Sequence, residues 1–263
     1  MFDIEVFRVG TLPAPRWEVL FADNSTDLVP LDFSVWLLRS DDSIGIVDTG
    51  LPLGPDDLAG LDRANRSVHP DAVFRDPKTL VDAYEAFGVV PDDIDFALIT
   101  QTVTYATGGL SAEMLPRAQV YVARPGVLEF LDGAPGHPAP EFYFTADAWS
   151  SLRTFGVEGR LHLVDDRADV VPGVTFDVTG GHHPGSAGVV IETVHGTVAI
   201  LETAFTMENI RQGRPIGIAE DIATCRRVIE RYRDDYDVVI PIHEPGLHGT
   251  MQNIVDVLRG GDR

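Results

Sequence analysis

The chain is short of basic residues, of cysteine and of long apolar runs, and each shortage removes a class of protein. Lys and Arg number 20 against 41 Asp and Glu, a formal net charge of -21. Such a field repels phosphate backbones and anionic lipid, and no run of Lys or Arg offsets it. Neither nucleic acid nor a membrane surface is therefore expected as a partner. The single cysteine, Cys225, cannot form an intramolecular disulfide, and thiolate zinc sites need several such ligands. Its place on the apolar face of a helix marked by Ile222, Ile229 and Tyr232 assigns it to the core. No apolar stretch approaches the roughly 18 residues of a spanning helix. The opening MFDIEVFRVG mixes acids with apolar residues and lacks a basic, signal-like start, so a cytoplasmic protein is expected.

What is present is enough for a sizeable core: 263 residues, 44% of them hydrophobic. The first part of the chain predicts strands at Ile4–Val9, Trp17–Phe21, Phe33–Leu38 and Ile44–Val47. Asp76-Pro77 predicts a helix start, with Leu80, Tyr84 and Phe87 on one face and Gly88 as the stop. Short strands are expected at Phe96–Thr100 and Ala118–Val122, with one short helix in the GGLSAEMLP stretch between them. The segment from Asp132 to Thr145 (DGAPGHPAPEFYFT) reads as an irregular loop whose rings suit a lid or a subunit contact in a homodimer. After a short helix around Trp149, strands recur at Leu161–Val164, Val174–Val178, Val189–Glu192 and Val198–Leu201. A helix through Ile222–Tyr232, a strand at Val238–Ile242 and a helix at Ile254–Leu258 follow. Two runs of strands, each followed by helices and with no polar linker, predict one domain over residues 1–263 built of two packed sheets.

Functional-looking residues sit at predicted strand ends: GIVDTG (Gly45–Gly50), LITQTVTYATGGL (Leu98–Leu110), GGHHPGSAG (Gly180–Gly188) and IPIHEPG (Ile240–Gly246). Together with AILETAFTMENI (Ala199–Ile210), these blocks resemble, in order and spacing, the metallo-β-lactamase superfamily, and within it the N-acyl-homoserine lactonase-like branch. The resemblance extends from about Phe33 to Thr250 and implies an αββα sandwich, two mixed β-sheets flanked by helices, with the site at one edge of the sheets.

The family's metal motif, Thr-His-x-His-x-Asp-His-x-Gly-Gly, falls on Thr100-Gln-Thr-Val-Thr-Tyr-Ala-Thr-Gly108-Gly109. Its glycine frame is kept, and every ligand is replaced. Gln101 and Val103 stand at two histidine positions, Tyr105 at the aspartate and Ala106 at the third histidine. Val and Ala offer no donor atom, so no dinuclear zinc centre and no other cofactor is expected. Downstream, the resemblance places His182 on the Gly-His-x-Pro-Gly turn, Glu202 at the bridging acid and His243 after the last strand. Phe205 replaces a tyrosine that supports the substrate carbonyl in the lactonase branch.

The residues that remain suit metal-independent chemistry on a small carbonyl-containing or cyclic metabolite, by hydrolysis, ring opening or closure, or elimination. The expected catalytic set is His182, Glu202, His243 and Tyr105, with histidine and carboxylate as acid and base and Tyr105 donating to an oxyanion. Gln101, His183, Phe205, Glu244 and, on the proposed lid, His137 are expected to line the substrate. Asp48 is expected to anchor its neighbouring loop. Two other readings stand beside this one: a pseudoenzyme that binds a small ligand or a partner, and a mononuclear metallohydrolase using His182, Glu202 and His243.

Overall fold

The computed structural model describes residues 1–132 and 143–260. The chain opens with a long strand β1 (Asp3–Pro15), one turn of helix α1 (Arg16–Val19), β2 (Leu28–Arg39) and β3 (Ile44–Val47). Helices α2 (Pro55–Val68) and α3 (Leu80–Phe87) precede β4 (Phe96–Ile99), α4 (Thr104–Thr107), β5 (Gln119–Ala123), α5 (Arg124–Asp132), α6 (Ala146–Val157) and β6 (Leu161–Val164). The remainder is β7 (Arg167–Val171), β8 (Val174–Val178), β9 (Ala187–Thr193), β10 (Gly196–Leu201), α7 (Met207–Gln212), α8 (Ile222–Asp235), β11 (Val238–Pro241), β12 (Gly249–Thr250) and α9 (Met251–Gly260).

The strands form two sheets, in the orders β12-β1-β2-β3-β4-β5-β6 and β11-β10-β9-β8-β7. Antiparallel pairing joins β1, β2 and β3, whereas β3 to β6 run parallel, as do β10 and β11. Fully buried parallel strands need apolar side chains on both faces, and Phe96–Ile99 (FALI) and Val238–Pro241 (VVIP) supply them. The buried apolar side chains of both sheets belong to one continuous cluster that includes Trp36, Phe96, Phe155, Phe176 and Tyr232. Among the described residues no helix is long and apolar enough to cross a membrane.

Several local expectations are corrected. Trp17–Phe21 is not a strand: β1 runs on to Pro15, and α1 then turns so that Val19 and Leu20, adjacent in sequence, are both buried. Alternation fails there because a turn of helix, not a strand, carries the apolar residues. The third helix begins at Leu80, not at Asp76-Pro77. Asp76 is in the left-handed region (φ 49°), and the Lys78 amide donates to the Val9 carbonyl (2.7 Å), holding this stretch against β1. The Asp82 carboxylate instead accepts from both the amide and the hydroxyl of Thr79, which caps α3, and Gly88 (φ 65°) ends it as expected. The short helix expected between β4 and β5 lies earlier, over Thr104–Thr107. Helix α2 is an addition to the expected elements: it fully buries only Leu61 and Asn65, and its apolar positions Leu58, Leu61 and Val68 are sparse among polar residues.

Candidate active site

The carboxyl ends of β3, β4, β10 and β11 converge, with the β8–β9 loop, on one edge of the molecule. Asp48 follows β3 and is buried; its two carboxylate oxygens accept from the amide and the hydroxyl of Thr100, each at 2.7 Å. Burial pushes its carboxyl up to about 7 despite those bonds, with the Glu202 charge adding to the rise. The Thr100 carbonyl in turn accepts from the Ala187 amide (2.7 Å), tying the end of β4 to the start of β9 in the opposite sheet. Asp48 therefore fixes the loop that follows β4.

That loop passes close to the turn after β3. A Cβ on Gly108 would lie 2.3 Å from the Pro52 nitrogen, and one on Gly109 2.3 Å from the Thr49 carbonyl oxygen, so only glycine fits. The glycine frame of the motif thus survives for a packing reason while its ligand positions hold other side chains.

A cavity of about 180 Å³ opens beside this loop, below the roughly 300 Å³ at which drug-sized sites begin. Its walls are mainly apolar, with Leu12, Leu31, Phe33 and Val103 among them, and Val68 and Ile218 form an exposed rim. Gln101, Tyr105, Phe205, His182 and His243 all face it. Sequence reasoning singled out these five, and the fold brings them to one wall.

His182 Nδ1 contacts the Glu202 carboxylate in a short hydrogen bond. Glu202 is fully buried and does not reach the cavity itself. Burial, the largest influence on this carboxyl, raises it, but the charge and hydrogen bond of His182 prevail and hold it below the usual carboxylate range. Nδ1 is engaged by Glu202, whereas Nε2 has no hydrogen-bond partner among the described residues and is the proton acceptor in the neutral imidazole. His243 is oriented differently: Nδ1 donates to the Asp32 carbonyl (3.1 Å), and burial drives the imidazole down to about 4, so it is neutral. The Phe205 ring stands between the two histidines, with its centroid 5.1 Å from each.

Other expected residues are placed elsewhere. The Tyr105 hydroxyl donates to Asn65 Oδ1 (2.5 Å), and burial raises the phenol, so its proton is committed and the expected oxyanion donor is not free. Glu244 lies outside the cavity wall, where its carboxylate accepts from the Met207 amide (2.6 Å) at the start of α7. His183 is buried behind His182, is pushed down to about 4 by burial, and accepts the Gly185 amide at Nδ1 (3.1 Å). His137 lies outside the described residues. Cys225 is fully buried, its thiol is pushed up to about 11, and it packs in the core as expected.

Sequence reasoning missed three contributors. Asp32, on β2, accepts from the Gly246 amide (2.9 Å) and so holds the loop bearing His243. Asn65 reaches Tyr105 from α2, a helix outside the expected elements. Glu18, on α1, lines the cavity, and burial pushes its carboxyl up to about 7. A glutamate inside an apolar-looking pentapeptide was its only trace in the sequence.

The arrangement of two sheets, flanking helices and a site at their shared edge is the metallo-β-lactamase fold, and solved structures bear this out over nearly the whole chain. A B. thuringiensis AiiA variant with N-decanoyl-L-homoserine bound at its active site is 18% identical over 92% of this chain and 93% of that one, with a TM-score of 0.74. A probable metal-dependent hydrolase from Staphylococcus aureus is 15% identical over 94% and 91%, with a TM-score of 0.73. A dizinc quorum-quenching lactonase in complex with a product is 11% identical over 94% and 89%, with a TM-score of 0.70. No protein-family model and no curated protein matches the sequence.

The paired metal ions that such a fold implies do not fit these residues. Val103 and Ala106 present buried hydrocarbon, and Tyr105 is turned to Asn65. Among the described residues, one group of three metal-ligating types comes together: His182, His183 and Glu202, with ligand atoms within 4.8 Å of one another. His243 is not part of it, so the set of His182, Glu202 and His243 considered for a single ion is not assembled.

Proposed function

We propose that this protein is a hydrolase of a small carbonyl compound, an ester or lactone, that works by side-chain acid–base chemistry and without metal. The observation that carries the reading is the His182–Glu202 pair: a buried carboxylate orients an imidazole whose second nitrogen is left for the apolar cavity. In the proposed reaction His182 Nε2 takes a proton from water as the water oxygen bonds to the carbonyl carbon. Glu202 stabilises the resulting imidazolium. The buried Gln101 amide faces the same space and donates to the developing oxyanion, a role that the committed Tyr105 hydroxyl cannot fill. When the carbon–oxygen bond to the leaving group breaks, His182 returns its proton to that oxygen, giving an acid and an alcohol. Glu202 acts through His182 and is a positioning residue.

A second reading has its own support: among the described residues His183 Nε2 and Glu202 Oε2 are buried without a well-formed hydrogen bond, as the ligands of a single cation would be. Against it, the Gly185 amide donates to His183 Nδ1, which places the proton on Nε2 and blocks it as a ligand in that tautomer.

Turnover of a panel of p-nitrophenyl esters and γ-lactones of increasing chain length tests both readings. His182→Gln is expected to lower kcat by about 10²-fold or more, the scale of a positioned base, while the melting temperature holds. Glu202→Gln should lower kcat and alter its pH profile, because it removes the negative charge beside the imidazolium formed in the reaction. Activity that is lost on dialysis against a chelator and restored by zinc would overturn metal independence. Unchanged kcat in His182→Gln would sink the base assignment.

A further inference from the structure

We propose that the cavity selects an organic cation: a ligand whose apolar body fills the pocket and whose ammonium group pairs with Glu18. This rests on the preceding reading that the cavity is the substrate site, and it adds the charge of the substrate.

Glu18 is held in place from its backbone, since its carbonyl oxygen accepts from the amides of Gly217 (2.8 Å) and Ile218 (3.3 Å). Its carboxylate faces the cavity, yet it makes no hydrogen bond or ion pair with any described residue. The basic residue on the same helix, Arg16, is taken by Asp23 (3.1 Å) and Glu208 (2.5 Å). Among the described residues no lysine or arginine lines the cavity, and His243, which does, is neutral. The carboxylate is therefore desolvated with no counter-charge supplied by the fold, which is why burial alone lifts its proton affinity.

A ligand ammonium would supply that counter-charge. The rings around the pocket favour the same chemistry: Phe33 lies 4.9 Å from Tyr105 and 4.1 Å from His243, centroid to centroid, and Phe205 completes the wall. The negative faces of such rings attract an organic cation and do nothing for an anion. A net charge of -21 also steers cations toward the molecule. An anionic ligand would meet repulsion from Glu18, and a neutral one would leave the carboxylate as it is.

Three probes of matched length, hexylammonium, hexanol and hexanoate, test this by calorimetry on the full chain at pH 8, where Glu18 is ionised. Hexylammonium is expected to bind at least 10-fold more tightly than hexanol, with hexanoate weakest. In Glu18→Gln the ammonium advantage should vanish while hexanol affinity is retained, which also shows that the cavity is still formed. Ala64→Trp, which fills the pocket, should abolish binding of hexanol and hexylammonium alike. Equal affinity of ammonium and alcohol in the unmodified protein, or an ammonium preference that survives Glu18→Gln, overturns the cation inference and leaves the cavity reading standing. If no probe binds, both fall.

Discussion

The two histidines on the cavity wall are oriented by different neighbours, and the burial of His243 has a thermodynamic consequence. Burial of His243 outweighs both the Glu202 charge and the hydrogen bond to the Asp32 carbonyl, so the imidazole titrates near 4 in the folded state against 6.5 in the unfolded chain. Between those values the unfolded chain binds a proton that the native one does not, so this group makes stability fall as pH drops through the window. The slope is about 1.4 kcal/mol per pH unit for one such proton. Glu18 and Asp48, both raised to about 7, act in the opposite sense, because the native state holds their protons longer. The total pH dependence therefore partly cancels, and the difference between variants is the clean measurement. Urea melts of the unmodified protein and His243→Gln at pH 4.5 and 6.5 should differ in slope by about one proton, with the variant less sensitive to acid. Parallel slopes would mean that His243 is protonated in the native state.

At the scale of elements, the site depends on two backbone segments in contact, the turn after β3 and the loop containing α4. Besides the close approach at Gly108 and Gly109, the Thr49 amide and hydroxyl both donate to the Ala106 carbonyl, at 2.8 and 2.6 Å. Gly109→Ala would press a methyl group against the Thr49 carbonyl, which cannot rotate away. The expected cost is on the order of 1–3 kcal/mol from overpacking, read as a lower denaturation midpoint with an unchanged m value. Gly88→Ala at the end of α3 is a useful control, because a Cβ there meets no atom within 4 Å and only the left-handed backbone is strained. It should cost less. A Gly109→Ala variant as stable as the parent would show that the loop after β4 can shift away from the β3 turn.

For the whole molecule the dominant feature is charge. The 41 acidic residues exceed the 20 basic ones by a margin that pairing cannot remove, and Arg16 already sits between two acids, Asp23 and Glu208. Self-repulsion should therefore outweigh surface pairing, which contributes little per pair. Raising sodium chloride from about 0.02 M to about 0.2 M shortens the screening length from roughly 20 Å to about 7 Å and should raise the melting temperature by a few degrees. A fall instead would mean that the ion pairs carry net stability.

What the sequence determined by itself follows from local rules. Strands such as Phe96–Ile99 and Val198–Leu201 are apolar on both faces, α8 carries Cys225, Ile229 and Tyr232 at helical spacing, and the ordered motif blocks mark the strand ends where a site assembles. The chemistry of two positions that the resemblance aligns with metal ligands is also legible there, because Val103 and Ala106 are incapable of coordination in any conformation. The tertiary structure alone decided which of the remaining polar groups face a common space. It set His182 on Glu202, packed the Phe205 ring against both His182 and His243, and turned Tyr105 to Asn65 and Glu244 to the start of α7. It also brought Glu18 to the cavity from a turn of helix that reads as strand. These outcomes depend on contacts between residues distant in the chain and on the burial those contacts impose, and neither quantity is encoded in the pattern of any one segment.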